Sequence, residues 1–178
     1  MKIDQSMDTG PIFLQEEVDI LFSETVIELH DRLAILGADL LLKTLDLLKS
    51  SLINAKPQES GMGSYAPMLK KSDGKLDWDQ SSRQIYNRIR GFNPWPGTYT
   101  YFKGTLLKIL EGYPVEPPWK YSLPGSLWNF GATGALVACG KGCLQLRKVQ
   151  LENRSAVKAK DFLNGIHLPL NQFVRLGN

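Results

Sequence analysis

At 178 residues, 43% hydrophobic and 22% charged, the chain is long enough for one domain or one and a half and has the balance of a folded soluble protein. No apolar run approaches the ~20 residues that span a bilayer and no basic-then-apolar leader is present, which excludes a helical membrane protein and points to the cytosol. The net charge of +3 hides an uneven split: residues 1–60 carry five basic and eleven acidic side chains, whereas residues 61–178 carry sixteen basic and seven acidic, balances of −6 and +9. A basic half suits a polyanionic partner, because Lys and Arg release counterions condensed on phosphates; a merely soluble basic surface has the same composition.

In chain order, Gly10 to Leu21 opens apolar through Pro11-Ile12-Phe13-Leu14 and turns acidic at Glu16, Glu17 and Asp19, which predicts a strand leaving a loop. Thr25-Val26-Ile27-Glu28 has capping-box spacing. Leu29, Leu33, Leu36, Leu40 and Leu47 then recur at helical spacing to about Ser50, with Leu41, Leu45 and Leu48 widening the stripe. Gly37 costs roughly 1 kcal/mol inside such a helix, so close packing against another backbone is expected there. One strand and one helix cannot bury this stripe between them. The first fifty residues therefore read as the tail of something larger, with the helix 26–50 exposed, disordered or paired with a second copy.

Residues 51–68 carry Pro57, Gly61, Gly63 and Pro67 without an apolar period, as a linker does. Asp79 is placed to cap a short helix through about Arg90, with Ile85, Ile89 and Phe92 facing inward. Asn93-Pro94-Trp95-Pro96-Gly97 is a rigid corner, since each proline holds the residue before it extended. Trp95 either fills the core between helix and sheet, the reading favoured by its clamping prolines, or stacks on a base.

Strands are predicted at Thr98–Phe102 and Leu106–Glu111 around a Lys103-Gly104 turn, then, after a proline-rich excursion, near Ser126–Phe130, Ala135–Cys139 and Leu144–Leu151. Cys139 and Cys143, flanking Gly140-Lys141-Gly142, lack zinc or redox spacing and read as reduced, buried residues facing each other across a hairpin. A last helix, about Ser155 to Leu163, would end at Gly165. The sum is an α+β chain whose C-terminal part is a small, partly open barrel of the OB type with short helices.

Asp8-Thr9-Gly10 is weak evidence alone: Asp and Gly are common in turns, although such a carboxylate can also hold a water, orient a histidine or move a proton. Longer segments carry more. Asp4-Gln5-Ser6-Met7-Asp8-Thr9-Gly10-Pro11-Ile12, Leu29-His30-Asp31-Arg32-Leu33, Leu76-Asp77-Trp78, Ile89-Arg90-Gly91-Phe92-Asn93-Pro94-Trp95-Pro96-Gly97 and Asp161-Phe162-Leu163-Asn164-Gly165 occur in this order, as do Leu36-Gly37-Ala38, Tyr65-Ala66-Pro67 and Pro124-Gly125. The chain thereby resembles the methionyl-tRNA formyltransferases along essentially its whole length, and the Arg-Gly-Phe-Asn-Pro-Trp-Pro-Gly run is the specific part.

The resemblance implies formyl transfer from 10-formyltetrahydrofolate, as co-substrate and without a metal, to the amino group of methionyl initiator tRNA. It implies a remnant of a Rossmann-like catalytic domain at 1–56, a linker at 57–72 and an OB-like tRNA-binding domain at 73–178. Of the family's catalytic Asn, His and Asp, only the Asp has a match here, Asp8. Ser6 stands where the family's loop usually has glycine. His30 and His167 are expected to be structural. The isolated chain is expected to be inactive, lacking the folate pocket and two of three catalytic groups.

For tRNA the candidates are Lys70, Lys71, Arg88, Arg90, Lys103, Lys108, Lys141, Arg147 and Lys148, spread over a basic face, because double-stranded RNA is read largely through phosphates and shape. The resemblance implies a bacterial cytosol, or an organelle, and no membrane partner. The alternatives are a stand-alone RNA-binding module without catalysis and a fragment of a sugar-nucleotide formyltransferase.

Overall fold

A computed structural model describes residues 1–59, 63–119 and 122–177. Its backbone divides into two compact units, Met1–Met68 and Leu69–Asn178. Residues 60–62 of the expected linker, with Gly61, lie outside the described residues, as do 120, 121 and 178 of the expected C-terminal domain.

The first unit is dominated by one helix, α1 (Val26–Lys49). Its start is the predicted capping box: Glu28 N–H donates to Thr25 Oγ1 at 3.4 Å and Thr25 N–H to Glu28 Oε2 at 2.8 Å. The Thr25 backbone donor holds the Glu28 carboxyl below its ordinary value. Arg32 is anchored more firmly, donating through Nε and Nη2 to the two oxygens of buried Glu24 at 2.9 and 2.8 Å and through Nη2 to the Asp19 carbonyl.

No residue of α1 is buried. Leu33 is 43% exposed, and Leu36 and Leu40 are only half-buried, so the leucine stripe is left uncovered as expected. Gly37 has no atom within 4 Å of where a Cβ would stand, which removes the close packing expected there. The predicted strand at 10–21 does not form either. Ile12 alone pairs, exchanging two 2.8 Å hydrogen bonds with Lys56, because a strand exists only where neighbouring strands accept its backbone groups.

The second unit is a curled antiparallel sheet with helices packed on it. In chain order it contains a short 3₁₀ turn (Lys71–Gly74), α2 (Ser82–Phe92), β1 (Tyr99–Phe102), β2 (Thr105–Val115), β3 (Ser126–Asn129), a second 3₁₀ turn (Gly131–Thr133), β4 (Ala135–Ala138), β5 (Cys143–Leu151), β6 (Val157–Lys158), α3 (Ala159–Gly165) and β7 (Phe173–Arg175). The strands run β1-β2-β5-β4-β3-β7, with β6 on β5. The two end strands meet again: Phe102 and Leu176 form an antiparallel bridge, and Gly177 N–H donates to the Tyr101 carbonyl at 2.8 Å.

All five strands predicted for this unit exist; β6 and β7, two and three residues long, are additions to them. The β1–β2 hairpin turns on Lys103 and Gly104, both at positive φ (49° and 76°), as a two-residue primed turn requires. α2 begins two residues later than predicted, capped by Ser81, whose Oγ accepts from Gln84 N–H, rather than by Asp79. α3 is also shorter than predicted, because Val157 and Lys158 join β5 as a strand, and Gly165 is its last residue rather than its cap.

Ile85 and Ile89 of α2, Leu107 and Ile109 of β2, Leu144 and Val149 of β5 and Leu163 of α3 meet in one core. Each such side chain contributes about 1.5–3 kcal/mol by leaving water. Two polar side chains inside are paired, Trp78 Nε1 donating to Thr100 Oγ1 at 3.0 Å and Thr98 Oγ1 to the Ile109 carbonyl at 2.7 Å, whereas buried Ser126 Oγ has no partner among the described residues.

Cys139 and Cys143 are free and buried beside the β4–β5 turn, where Ala138 pairs with Cys143. Burial pushes the Cys139 thiol up to about 12 and the Cys143 thiol to about 11, from an ordinary 9.0. A thiol kept neutral in the fold contributes its full stability below its unfolded value and loses it as pH rises through the folded one. The melting temperature is therefore expected to fall between about pH 9 and pH 11–12, and Cys139→Ala/Cys143→Ala to flatten that fall. Thiol titration at pH 8 should label neither cysteine until denaturant is added; rapid labelling of the native chain would contradict this burial.

Candidate nucleic-acid interface

Asp8 lies in an exposed loop of the first unit at φ 57°, in the left-handed region Asp tolerates. The loop is organised by Asp4 rather than by Asp8: the Asp4 carboxylate accepts from Thr9 Oγ1 at 2.8 and 2.9 Å and from Ser6 N–H at 3.1 Å. Gln58 Nε2 clips the loop from outside, donating to the Asp8 and Gly10 carbonyls at 2.9 and 2.8 Å. Among the described residues the Asp8 carboxylate has no hydrogen-bond partner; His30 is spent on its helix neighbour Asp31, 3.3 Å away.

The basic candidates divide by what already holds them. Arg88 is half-buried, donates to the Asp73 carbonyl and lies over the Phe92 ring at 5.1 Å, so it ties the first 3₁₀ turn to α2. Arg90 donates to Asn87 Oδ1 at 3.0 Å and sits 5.9 Å over Tyr86. Tyr86 in turn packs on Tyr113 at 5.1 Å, and the Arg147 guanidinium lies 5.6 Å from the Tyr113 ring. Lys103 covers Phe102 at the hairpin tip. Lys70 and Lys141 are exposed at two separate turns.

Arg147 and Lys148 are exposed together, which strict strand alternation forbids. The reason is an irregular register: Ile109 pairs with Val149, Glu111 with Lys148 and Gly112 with Leu146, leaving Leu110 and Arg147 unpaired. Such a bulge re-aims side chains, and here it turns two consecutive basic residues outward. β6 brings Lys158 directly opposite Lys148, and Lys160 follows at the start of α3.

These four basic side chains line one cleft of about 580 Å³, with Glu111 as its acidic member, 3.9 Å from Lys148. Like charges directly opposed across strands are destabilising by a few tenths of a kcal/mol to about 1 kcal/mol, so the Lys148–Lys158 pair is an arrangement that a bound anion would relieve. Sequence reasoning misses Lys158 and Lys160 because residues 155–163 read as one helix, which hides the cross-strand neighbour.

Lys71 and Lys108 meet elsewhere, in a cleft of about 420 Å³ beside the corner Asn93–Gly97. Gly97 N–H donates to the Phe92 carbonyl at 2.8 Å, closing the corner, and the Asn93-Pro94 and Trp95-Pro96 bonds are both cis. Asn93 is extended, as the prolines predict. Trp95 does not fill the core: it is 55% exposed and lines the cleft. Ile85, Ile89 and Trp78 take the space between helix and sheet instead, leaving the corner outside.

A methionyl-tRNA formyltransferase of Geobacter metallireducens is 40% identical over 178 residues, covering 100% of this chain and 56% of that protein. One from Syntrophus aciditrophicus is 44% identical over 168 residues, covering 93% and 53%. The chain thus spans about half the length of the curated relatives it matches. Among solved structures, HypX from Aquifex aeolicus aligns with TM-score 0.65 at 13% identity, over 95% of this chain and 31% of that one. HypX in complex with tetrahydrofolic acid aligns with TM-score 0.61 at 13% identity, over 95% and 30%. At such identity the likeness shows the fold alone. The sequence matches the formyl transferase C-terminal domain over residues 68–167, a stretch that holds both clefts, and the chain belongs to that family.

Proposed function

We propose that this chain is the C-terminal portion of a methionyl-tRNA formyltransferase and that its second unit holds the initiator tRNA. The observation that carries the proposal is alignment with enzymes of that name along the whole chain at about 40% identity. In this reading residues 1–56 are the end of a Rossmann-like catalytic domain, 57–72 a linker and 73–178 an OB-like tRNA-binding domain. The returning Phe102–Leu176 bridge supports a barrel of that type.

The cleft of Arg147, Lys148, Lys158 and Lys160 meets the sugar-phosphate backbone of a duplex arm, with Lys70, Lys71, Arg90, Lys103, Lys108 and Lys141 as further contacts and Arg88 acting through the fold. Asp8 is the chain's share of the catalytic constellation. 10-Formyltetrahydrofolate is the co-substrate of the whole enzyme, and its work is done in a bacterial cytoplasm.

The test uses the purified chain with methionyl initiator tRNA and 10-formyltetrahydrofolate. The expected result is tRNA binding that weakens steeply with salt, as neutralised phosphates require, and no formylmethionyl-tRNA. Formyl transfer by this chain alone, or binding indifferent to salt, would overturn the proposal. Self-association through the uncovered leucine face of α1 is part of the same reading, and light scattering on the same sample reads it as a mass of two chains rather than one.

A further inference from the structure

We propose that the cleft beneath the Pro-Trp-Pro corner seats one unpaired nucleotide of the bound RNA. This deepens the tRNA-binding reading and rests on it. The cleft lies on the outer face of the β1–β2 hairpin, the face opposite the core: Thr100 and Phe102 of β1 point inward and are buried, so Tyr99 and Tyr101 point outward. By register Tyr99, Lys108 and Gln150 form one row across β1, β2 and β5. Trp95, held out by its two prolines, lines the same cleft.

Three features select the occupant. The first is aromatic surface. Indole and phenol rings in water are costly to leave uncovered, and they are the platforms on which unpaired bases stack. Tyr99 and Tyr101 stand edge to face, their centroids 6.0 Å apart, and Lys75 lies 5.7 Å over the Tyr101 ring from outside the cleft lining. The second is charge. Lys71 and Lys108 are exposed in the lining, and neither has an ion-pair partner among the described residues, so both are free for a phosphate.

The third is edge chemistry. The amide nitrogens of Asn93 and Gln150 each donate once to a backbone carbonyl, of Leu110 and Arg154, and each amide keeps a second N–H and its oxygen for a base edge. A volume of about 420 Å³ suits one small-molecule-sized group rather than a stacked base pair, so the nucleotide must leave its helix to enter. The basic cleft of β5 and β6 has the opposite character, charge without aromatic platforms, and suits a paired backbone.

The experiment compares a blunt RNA duplex with the same duplex carrying a short single-stranded tail, titrated into the full chain. The tailed RNA is expected to bind roughly 5- to 150-fold more tightly, the range of one or more stacked bases. Trp95→Ala should abolish that ratio while leaving blunt-duplex affinity within about twofold. Trp95→Phe should keep most of the ratio, and circular dichroism of both variants reports folding. A neutralised Lys148 and Lys158 pair should weaken both RNAs alike and preserve the ratio. A wild-type chain that binds the blunt duplex but gains nothing from the tail overturns the nucleotide seat, as does a ratio surviving Trp95→Ala. Failure to bind either RNA overturns the tRNA-binding reading itself.

Discussion

Gly74→Ala is expected to lower the melting temperature of the second unit by roughly 10–20 °C, corresponding to about 3 kcal/mol or more of overpacking. Gly74 is buried at the end of the first 3₁₀ turn, and a Cβ placed on it would stand 2.0 Å from the Gly97 carbonyl oxygen and 3.4 Å from Tyr99 Cδ1. Neither side can retreat. The turn is tied by the Arg88 side chain to the Asp73 carbonyl and by Leu76 N–H to the Tyr99 carbonyl at 2.8 Å, while Gly97 is bonded back to Phe92 at 2.8 Å. The obstacle is backbone, so a rotamer change cannot relieve it. Gly37→Ala is the control with the opposite sign, because its Cβ meets open space and alanine favours a helix by up to about 1 kcal/mol. Calorimetry of both variants settles the comparison; a Gly74→Ala melt within a few degrees of wild type would mean the corner is not pressed against this turn.

Lys148→Gln/Lys158→Gln should change affinity and stability in opposite directions. The two lysines are cross-strand partners, and their repulsion is relieved when both are neutral, raising stability by about 0.2–1 kcal/mol. Removing the ion pair with Glu111 offsets little, since at 3.9 Å the pair is half-exposed and long. Binding of a duplex RNA should nonetheless fall, and the slope of log affinity against log salt should become shallower by up to about 1.8, near 0.9 for each phosphate no longer neutralised. Melting curves alongside titrations at several salt concentrations measure both signs. Unchanged affinity with an unchanged slope would remove this cleft from the interface.

What sequence discloses here is what depends on neighbours along the chain. The Thr25–Glu28 capping box, the β1–β2 turn at Lys103-Gly104 and the apolar face Ile85–Ile89 are set within a few residues, and each stands where the pattern places it. The strand expected at 10–21 fails because its apolar run is only half of a strand's requirement, the other half being a partner. β6 and β7 pass unnoticed for the converse reason: Val157-Lys158 and Phe173–Arg175 are too short to show a period and become strands through β5 and β3.

The candidate interface is partly visible for the same reason. Arg147 and Lys148 stand out as a basic pair in the sequence, but the bulge that exposes both, and the arrival of Lys158 and Lys160 beside them, belong to pairing across the sheet. Trp95 shows the limit of a composition argument. Prolines on either side establish that the ring is held, and say nothing of whether it is held inward or out.

The Phe102–Leu176 bridge also bears on time. It joins the first strand of the sheet to the residue that follows β7, a separation that spans nearly the whole sheet, and non-local pairing is what slows folding. As the polypeptide emerges from the ribosome, the β1–β2 hairpin can form at once, yet its free edge waits for Leu176 and Gly177. During that interval Tyr101 and Phe102 present an unpaired strand edge to whatever else is nearby. A domain whose first strand pairs with a segment some seventy residues later keeps that edge open until the later segment has been made.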